Sequence, residues 1–332
     1  MARPTAFLTG STGFVGAHVA RALCEAGWEV RALARRPQVL SSGECRDLPL
    51  EAVAGDLSES SRAALADACR GADAIVHVAG LVKARSLEGY REVNVGGTQN
   101  LLRAASESAP GAFFVLVSSQ AAAGPARNGR PVEEGDPAHP VSWYGQSKLE
   151  AEEAVASDWK GPWFVARPAV VYGPGDRGLL TLFAAAAKGF VPVPAGGSSV
   201  QLIEASQAGR AITLLCGRPD LSRRVAFLCD PDPVRISELA GLIAHLPPRH
   251  ARTLALPDFV VRAVGRVASL QEALTGQTLA FNADKAREVL AGDWLCKPEL
   301  MQRDLSLPPS SPLDYGLKKT WDWYVSHGWL KL

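Results

Sequence analysis

The chain has 332 residues, 47% of them hydrophobic, a size typical of a nucleotide-binding domain with an appended substrate lobe. Its formal net charge of +1 gives no reason to expect nucleic acid as a partner. The six cysteines lie far apart with no C-x-x-C pair, so we expect reduced thiols in a cytoplasmic protein and no metal site. No signal peptide is evident, and no apolar run reaches the ~18 residues of a transmembrane segment.

The first predicted element is a strand at residues 6–8, followed by a glycine-rich turn and a helical pattern over 14–26. Gly10 permits the sharp turn off the strand. Gly13 lets a pyrophosphate approach the backbone N–H groups at the positive end of the helix, and Gly16 lets the helix lie close to the sheet. Strand, turn and helix in this order predict a dinucleotide-binding fold.

The next two strands, 29–34 and 50–54, end in residues suited to the adenosine half of a dinucleotide. An acid after the second strand would bind the ribose hydroxyls of NAD(H), whereas this chain has Arg35 there, with Arg31 and Arg36 nearby. A guanidinium pairs with a 2′-phosphate, so the sequence favours NADP(H) over NAD(H). Asp56 follows the third strand, where it is suited to accept from the adenine amino group, to cap the next helix, or both.

A fourth strand at 74–78 contains His77, which we expect to be packed rather than catalytic, and ends in the small residues Ala79 and Gly80. A helix over 91–108, a strand at 113–117, a helix to about 157 and a strand at 163–167 continue the alternation. The fifth strand delivers Ser118 and Ser119 to its carboxyl end. The fold class is therefore α/β, a Rossmann-type doubly wound parallel sheet.

The regular alternation stops after residue 175. We expect residues 1–175 to form the nucleotide-binding domain and 176–332 a smaller, mainly helical substrate lobe, with parts of 198–230 returning to the first domain. The predicted helices of the lobe cover 178–188, 206–216, 236–245, 257–275, 283–290 and 315–327, with a strand near 225–228.

The predicted helix at 257–275 has one apolar stripe, formed by Val260, Val264, Val267, Leu270 and Leu274. We expect this stripe to pack against the body of the protein or against a partner subunit, because the sequence does not exclude a homodimer. The alternative is insertion at a membrane surface.

Tyr144 and Lys148 are four residues apart on a predicted helix, so their side chains share one face. Together with the glycine turn and the Ser-Ser pair, they make the chain resemble the extended branch of the short-chain dehydrogenase/reductase superfamily. That branch includes nucleotide-sugar epimerases and dehydratases, 3β-hydroxysteroid dehydrogenases and dihydroflavonol reductases. The motifs that carry the resemblance are Thr9-Gly10…Gly13…Gly16, Gly55-Asp56-Leu57, His77-Val78-Ala79-Gly80, Asn94-Val95…Gly97-Thr98, Ser118-Ser119, Tyr144…Lys148 and Arg167-Pro168…Tyr172-Gly173-Pro174.

The resemblance implies a catalytic role for three residues. Tyr144 is the general acid/base, Lys148 lowers the pKa of Tyr144 and binds the nicotinamide ribose, and Ser119 stabilises the substrate oxygen, with Ser118 as the fallback. It also implies cofactor contacts at Thr9, Gly10, Thr12, Gly13, Phe14, Val15, Gly16, Arg35, Asp56, Leu57, Val78, Ala79, Gly80, Asn94, Val117, Tyr144, Lys148 and Pro168.

Departures from the family pattern narrow the expected reaction. Gln120-Ala121 stands where sugar-nucleotide dehydratases carry an Asp-Glu pair, and Arg167-Pro168-Ala169 is nearer the steroid dehydrogenase and reductase pattern than the epimerase one. The preferred function is an NADP(H)-dependent oxidoreductase acting on a carbonyl or secondary alcohol of a small molecule. A nucleotide-sugar epimerase that retains NAD and a non-catalytic NADP-sensing protein remain as alternatives. The uncharged segment 190–197, expected beside the pocket, favours an apolar or weakly polar substrate.

Overall fold

The structure is a computed structural model that describes residues 2–279, 281–305, 307–308 and 310–331. Its strands are β1 (Thr5–Thr9), β2 (Glu29–Ala34), β3 (Leu50–Ala54), β4 (Ala74–His77), β5 (Phe113–Val117), β6 (Trp163–Pro168), β7 (Val170–Tyr172), β8 (Phe190–Pro194), β9 (Ser199–Val200), β10 (Leu202–Glu204), β11 (Arg224–Leu228), β12 (Val234–Arg235) and β13 (Arg252–Leu256). Its α-helices are α1 (Phe14–Glu25), α2 (Arg62–Cys69), α3 (Leu87–Arg91), α4 (Gly97–Ser108), α5 (Gln120–Ala123), α6 (Trp143–Asp158), α7 (Leu180–Ala187), α8 (Ala205–Cys216), α9 (Ile236–Ala244), α10 (Asp258–Thr275), α11 (Ala283–Val289), α12 (Glu299–Asp304) and α13 (Leu313–Ser326).

Seven parallel strands form the central sheet in the order β11-β6-β5-β4-β1-β2-β3. The chain begins in the middle of the sheet, runs out to β3 and crosses back to β4 on the other side of β1. This reversal sets the carboxyl ends of β1 and β4 side by side, with Thr9 paired to His77. The predicted Rossmann-type sheet is confirmed, and such a switch point is where open α/β sheets bind ligands.

Helices cover both faces of the sheet because successive side chains of each strand point to opposite sides. Leu8 belongs to the apolar core under α1 and α8, whereas Phe7 belongs to the core under α2, α4 and α6. The helices α1 and α8 pack closely: a Cβ on Gly209 would lie 2.6 Å from the carbonyl oxygen of His18. The C-terminal half of the chain thus contributes both α8 and the edge strand β11 to the nucleotide-binding layer.

The second lobe has its own apolar core, which includes Phe183, Val191, Trp321 and Tyr324. It contains most of the predicted helices, together with short strand pairs that were not predicted: β7 with β10, β9 with β12, and β8 with β13. Prolines interrupt β8, and β9 and β12 have two residues each, so the sequence pattern of these strands was too short or too irregular to recognise.

The helix predicted over 91–108 begins earlier and is irregular. Ser86 caps α3 by accepting a hydrogen bond from the N–H of Gly89, and a π-helical turn, Glu92–Gly96, joins α3 to α4. A Cβ on Gly97 would lie 3.2 Å from the Cβ of Leu57, so close packing accounts for a glycine in this helix. The π-turn places Asn94 toward the protein interior, where it is buried.

The expectation that the apolar stripe of α10 packs against the body of the protein is wrong. The helix packs through the opposite face, on which Val261, Gly265 and Glu272 are buried. A Cβ on Gly265 would lie 2.7 Å from the Cβ of Ala286 in α11, so a glycine, rather than a row of large apolar side chains, makes this contact. Four side chains of the predicted stripe, Val264, Val267, Leu270 and Leu274, are exposed instead, and Val260 is half-buried.

Candidate active site

The glycine-rich turn brings the start of α1 against the end of β4. Gly10 has φ +81°, and a Cβ there would lie 2.6 Å from the backbone nitrogen of Ala79. A Cβ on Gly16 would lie 2.0 Å from the carbonyl oxygen of Gly10, so Gly16 sets α1 directly on the turn. Gly13 is the N-cap, is exposed, and is followed by a first turn without acidic residues. This uncharged, positively polarised helix end fits the pyrophosphate of a dinucleotide.

A buried hydrogen-bond chain fixes the end of β1. His77 lies between Thr9, 2.7 Å from its Nδ1, and Thr98, 2.9 Å from its Nε2. Thr98 donates its own hydroxyl to the carbonyl of Asn94, so His77 Nε2 is the donor and Nδ1 accepts from Thr9. Burial, with the Lys148 charge, lowers the pKa of His77 to about 3. His77 is therefore a neutral structural residue, and the Thr9 hydroxyl is engaged within the protein.

The adenosine end of the crevice carries Arg35 and Asp56 beyond β2 and β3. Arg35 is exposed, and its charge contributes to lowering the pKa of the Asp56 carboxyl, which is lowered mainly by hydrogen bonds from Ser58 and Ser61. Asp56 thus fixes the turn before α2 by accepting from Ser58 and Ser61, but the N-cap of α2 is Ser61, so the expectation that Asp56 caps this helix is wrong. Arg31 points away, since it donates to the carbonyl of Arg70 at 2.6 Å and contacts Glu51 at 3.3 Å.

Asn94, predicted to contact the cofactor, uses its side-chain amide inside the protein. Its Oδ1 accepts from the N–H of Leu81 at 2.6 Å, and its Nδ2 donates to the carbonyl of Leu81 at 3.1 Å and to Ser147 Oγ at 2.9 Å. Asn94 therefore ties the loop after β4 to α6, the helix that carries Tyr144 and Lys148.

Tyr144 lies in the first turn of α6, which Ser142 caps by accepting from the N–H of Gly145 at 3.1 Å. Its ring lies 6.0 Å from that of Tyr90, centroid to centroid. Burial raises the pKa of Tyr144 to about 12, and a hydrogen bond with the Ser119 hydroxyl acts in the opposite direction. Contrary to the lowering expected from Lys148, the pKa of Tyr144 thus lies above its ordinary value, and the phenol is protonated at neutral pH.

Lys148, one turn further along α6, is buried behind the site. Its Nζ donates to the carbonyl of Val117 at 2.8 Å, at the end of β5. A Cβ on Gly80 would lie 3.6 Å from the same Nζ, so the end of β4 also closes on the ammonium group. Burial lowers the pKa of Lys148 to about 8, opposed by the Glu152 charge.

The two candidate serines have different environments. Ser119 caps α5 by accepting from the N–H of Ala121 at 3.1 Å and reaches Tyr144, whereas Ser118 donates to the buried Glu152. Ser119 is therefore the serine beside the phenol, and the fallback, Ser118, belongs to a different cluster.

That cluster is a buried ion pair which sequence analysis did not identify. Arg167 Nη2 lies 2.6 Å from one oxygen of Glu152 and its Nε 3.0 Å from the other, with both side chains almost fully buried. Glu152 follows Lys148 by four residues on α6, so the two side chains lie on the same face of the helix. This i, i+4 spacing is the sequence signal that indicates Glu152 near the site.

A second unpredicted contact joins the two lobes. Asp284 of α11 accepts from the backbone N–H of Trp143, the first residue of α6. A cleft of about 670 Å³ opens beside this contact. Its walls come from the loop after β4, the start of α6, α10, and α11 with the segment before it, and they include Lys83, Arg85, Trp143, Glu272, Asp284 and Arg287.

The NAD dependent epimerase/dehydratase family matches residues 6–222 of this sequence. The chain belongs to that family. The match spans the whole nucleotide-binding sheet except its edge strand β11, and it includes the glycine turn and the Tyr144–Lys148 helix.

Three relatives are informative. The chain is 36% identical to a ceramide reductase of Caulobacter vibrioides over 99% of this chain and 97% of that protein. It is 27% identical to a UDP-glucose 4-epimerase of Vibrio cholerae over 85% of this chain and 88% of that one. A solved structure of MoeE5 in complex with UDP-glucose and NAD superposes with a TM-score of 0.74 at 25% identity, covering 97% of this chain and 99% of that chain.

These likenesses confirm the resemblance drawn from the motifs, to the extended short-chain dehydrogenase/reductases. The protein is an NAD(P)-dependent enzyme of the oxidoreductase type that acts on CH–OH and C=O groups of a small molecule. In the part of the chain that the structure describes, no helix has the length and apolar character needed to cross a bilayer.

Other residues predicted at the cofactor lie at or near the carboxyl ends of the strands or at the start of α1. They are Thr12, Phe14, Val15, Leu57, Val78, Val117 and Pro168. Their contacts with the cofactor remain predictions, as do the domain boundaries.

The segment 190–197, expected beside the pocket, contains β8 and does not line the cleft beside Trp143. Its strand β8 pairs with β13 and places Val191 and Val193 in the core of the second lobe. The walls of the cleft carry charged side chains instead.

Proposed function

We propose that the protein is an NADP(H)-dependent reductase that interconverts a ketone and a secondary alcohol on a ceramide-like lipid, with Tyr144 as general acid/base. The observation that carries the chemistry is the placement of the Ser119 hydroxyl, just after β5, beside the Tyr144 phenol in the first turn of α6. The substrate class rests on the likeness to the ceramide reductase over nearly the whole of both chains.

The protonation states suit reduction. With a pKa of about 12, Tyr144 holds its proton at neutral pH and can donate it to a carbonyl oxygen. Ser119 donates a hydrogen bond to the same oxygen as negative charge develops there. The Lys148 ammonium, one turn further along α6, would stabilise the phenolate that remains.

When bound, the nicotinamide cofactor supplies or accepts the hydride. The turn at Gly10 and Gly13 would hold its pyrophosphate, Lys148 its nicotinamide ribose, and Arg35 its 2′-phosphate. Arg35 supports NADP(H), because it is exposed beyond β2 and Arg31, engaged with Glu51, does not compete for that role.

The direct test is a set of ketones offered with NADPH, followed by the absorbance of the reduced cofactor. We expect turnover of long-chain ketones that carry an amide, presented in detergent micelles, and little turnover of UDP-sugars. NADPH should be preferred over NADH. Absence of any ketone reduction, with cofactor binding intact, would contradict the proposal.

A nucleotide-sugar epimerase is the second candidate. Lys83, Arg85 and Arg287 line the cleft and could neutralise a diphosphate, and the Vibrio cholerae relative is a UDP-glucose 4-epimerase. Calorimetric titration with UDP in the presence of saturating NADP separates the two. Micromolar UDP binding, together with NAD retained through purification, would favour the epimerase, and no UDP binding would favour the reductase.

A further inference from the structure

The outward face of α10 is an unusually exposed apolar surface. Its large side chains have relative exposures of 73% at Phe259, 51% at Val264, 64% at Val267, 65% at Leu270 and 87% at Leu274. The strand before it adds Leu254, at 51%. Apolar residues exposed singly are common, but a contiguous row along an 18-residue helix marks an interaction surface.

Basic side chains border this face on one side. At ~100° per residue, Arg266 and Arg262 lie roughly 20° and 60° around the helix axis from Phe259, and both are exposed. α10 has two acids: Asp258, exposed at its first residue and one turn before Arg262, and Glu272, which is buried and accepts from the N–H of Leu279 at 2.7 Å. The outward face thus combines an apolar centre with a rim of two arginines and one aspartate.

We infer that this face of α10 docks the enzyme on a bilayer with anionic headgroups, lying in the plane of the interface. Apolar residues enter the boundary between headgroups and acyl chains, and the arginine guanidinium groups remain among the headgroup phosphates. The charges distinguish this partner from a second copy of the chain. A two-fold pairing of this face would bring Arg262 and Arg266 of both copies together, and Asp258 is the one exposed acid of α10 beside them.

The side of α10 that faces away from the docking surface lines the cleft, so docking would affect how a substrate reaches the site. Ser269, Glu272 and Ala273 line the cleft beside Trp143, one residue from Tyr144. A helix that contacts lipid on one side and the cleft on the other places the cleft at the membrane surface. This surface goes beyond the proposed reaction and does not depend on it.

Vesicle flotation of the full-length protein, without cofactor or substrate, tests the inference. The wild type should float with vesicles of phosphatidylcholine and phosphatidylglycerol and bind vesicles of phosphatidylcholine alone much more weakly. The double variant Leu270→Glu, Leu274→Glu should lose binding to the anionic vesicles by about 100-fold or more. Arg262→Gln and Arg266→Gln should each weaken it about fivefold and reduce the preference for anionic lipid.

Tyr315→Glu is the control for replacing an exposed apolar surface by a glutamate, at a side chain that is 62% exposed on α13. It should float like the wild type. Reduction of a water-soluble ketone should be unchanged in the Leu270, Leu274 double variant, which also shows that the variant is folded. Wild-type protein that fails to float with anionic vesicles, or that binds both vesicle types equally, would overturn the inference. So would a wild-type dimer that ignores vesicles and dissociates in the double variant.

Discussion

The carboxylate of Asp284, in α11, accepts hydrogen bonds from the backbone N–H of Trp143, with Oδ1 at 3.0 Å and Oδ2 at 3.1 Å. Trp143 is the first residue of α6, and Tyr144 follows it. The second lobe therefore holds the N-terminus of the helix that carries the proposed acid/base, and the negative charge there complements the helix dipole.

Removing this contact should affect both stability and turnover. Asp284→Ala is expected to lower the free energy of unfolding by about 1–2 kcal/mol. It should also lower kcat more than it weakens NADPH binding, because Tyr144 loses its fixed position. Urea unfolding and steady-state kinetics measure the two effects. Asp314→Ala, in the first turn of α13, is the control and should leave kcat unchanged. Equal losses of kcat in the two variants would contradict this positioning role.

The choice of cofactor depends on Arg35. Arg35→Asp replaces a phosphate–guanidinium pair by a repulsion, so NADPH affinity should fall by at least about 10–100-fold while NADH affinity changes little. Fluorescence titration with both cofactors measures this. Arg262→Asp makes the same change of charge on α10 and should leave the affinity for both cofactors unchanged. Tighter binding of NADH than of NADPH by the wild type would overturn the assignment.

The buried charge of Lys148 predicts a pH dependence. Because its pKa is about 8, NADPH affinity should decline as pH rises through that value, and Lys148→Arg should remove the decline. Between about 8 and the ordinary pKa of ~10.4, the unfolded chain binds more protons than the folded one. The free energy of unfolding should accordingly gain a rising contribution across this window. Calorimetric titrations and urea unfolding over a pH series check both trends; a Lys148→Met variant with the same trends would contradict the assignment.

The buried pair of Glu152 and Arg167 should be costly to break on one side only. Glu152→Gln leaves the Arg167 charge buried without a counter-charge, so a loss of about 3–5 kcal/mol in the free energy of unfolding is expected. The double variant Glu152→Gln, Arg167→Met should recover part of that loss. A double-mutant cycle in urea measures the coupling. Additive effects of the two substitutions would show that the pair is not coupled.

Local sequence patterns identified most of the nucleotide-binding layer. The turn at Gly10 and Gly13 and the Tyr144–Lys148 spacing are set by neighbouring residues, so a pattern of a few positions was enough to find them. Asp284 meets Trp143 across 141 residues of chain, and no local pattern encodes such a contact. Apolar periodicity does not say which surface a helix buries, so the sequence leaves the stripe of α10 to pack against the body of the protein, a partner subunit or a membrane surface. In this helix, Gly265 makes the contact that larger residues were expected to make.

The proposed mechanism is tested most directly by Tyr144→Phe, with Tyr90→Phe as its control. Tyr90 is the neighbouring tyrosine, whose hydroxyl donates to the carbonyl of Val82 at 3.3 Å, so its substitution also removes one phenol beside the site. Ketone reduction with NADPH should fall by about 10²–10⁴ in kcat for Tyr144→Phe, with the Kd for NADPH nearly unchanged. Tyr90→Phe should retain most of its activity. If Tyr144→Phe kept a kcat close to that of the wild type, Tyr144 would not be the general acid/base of this enzyme.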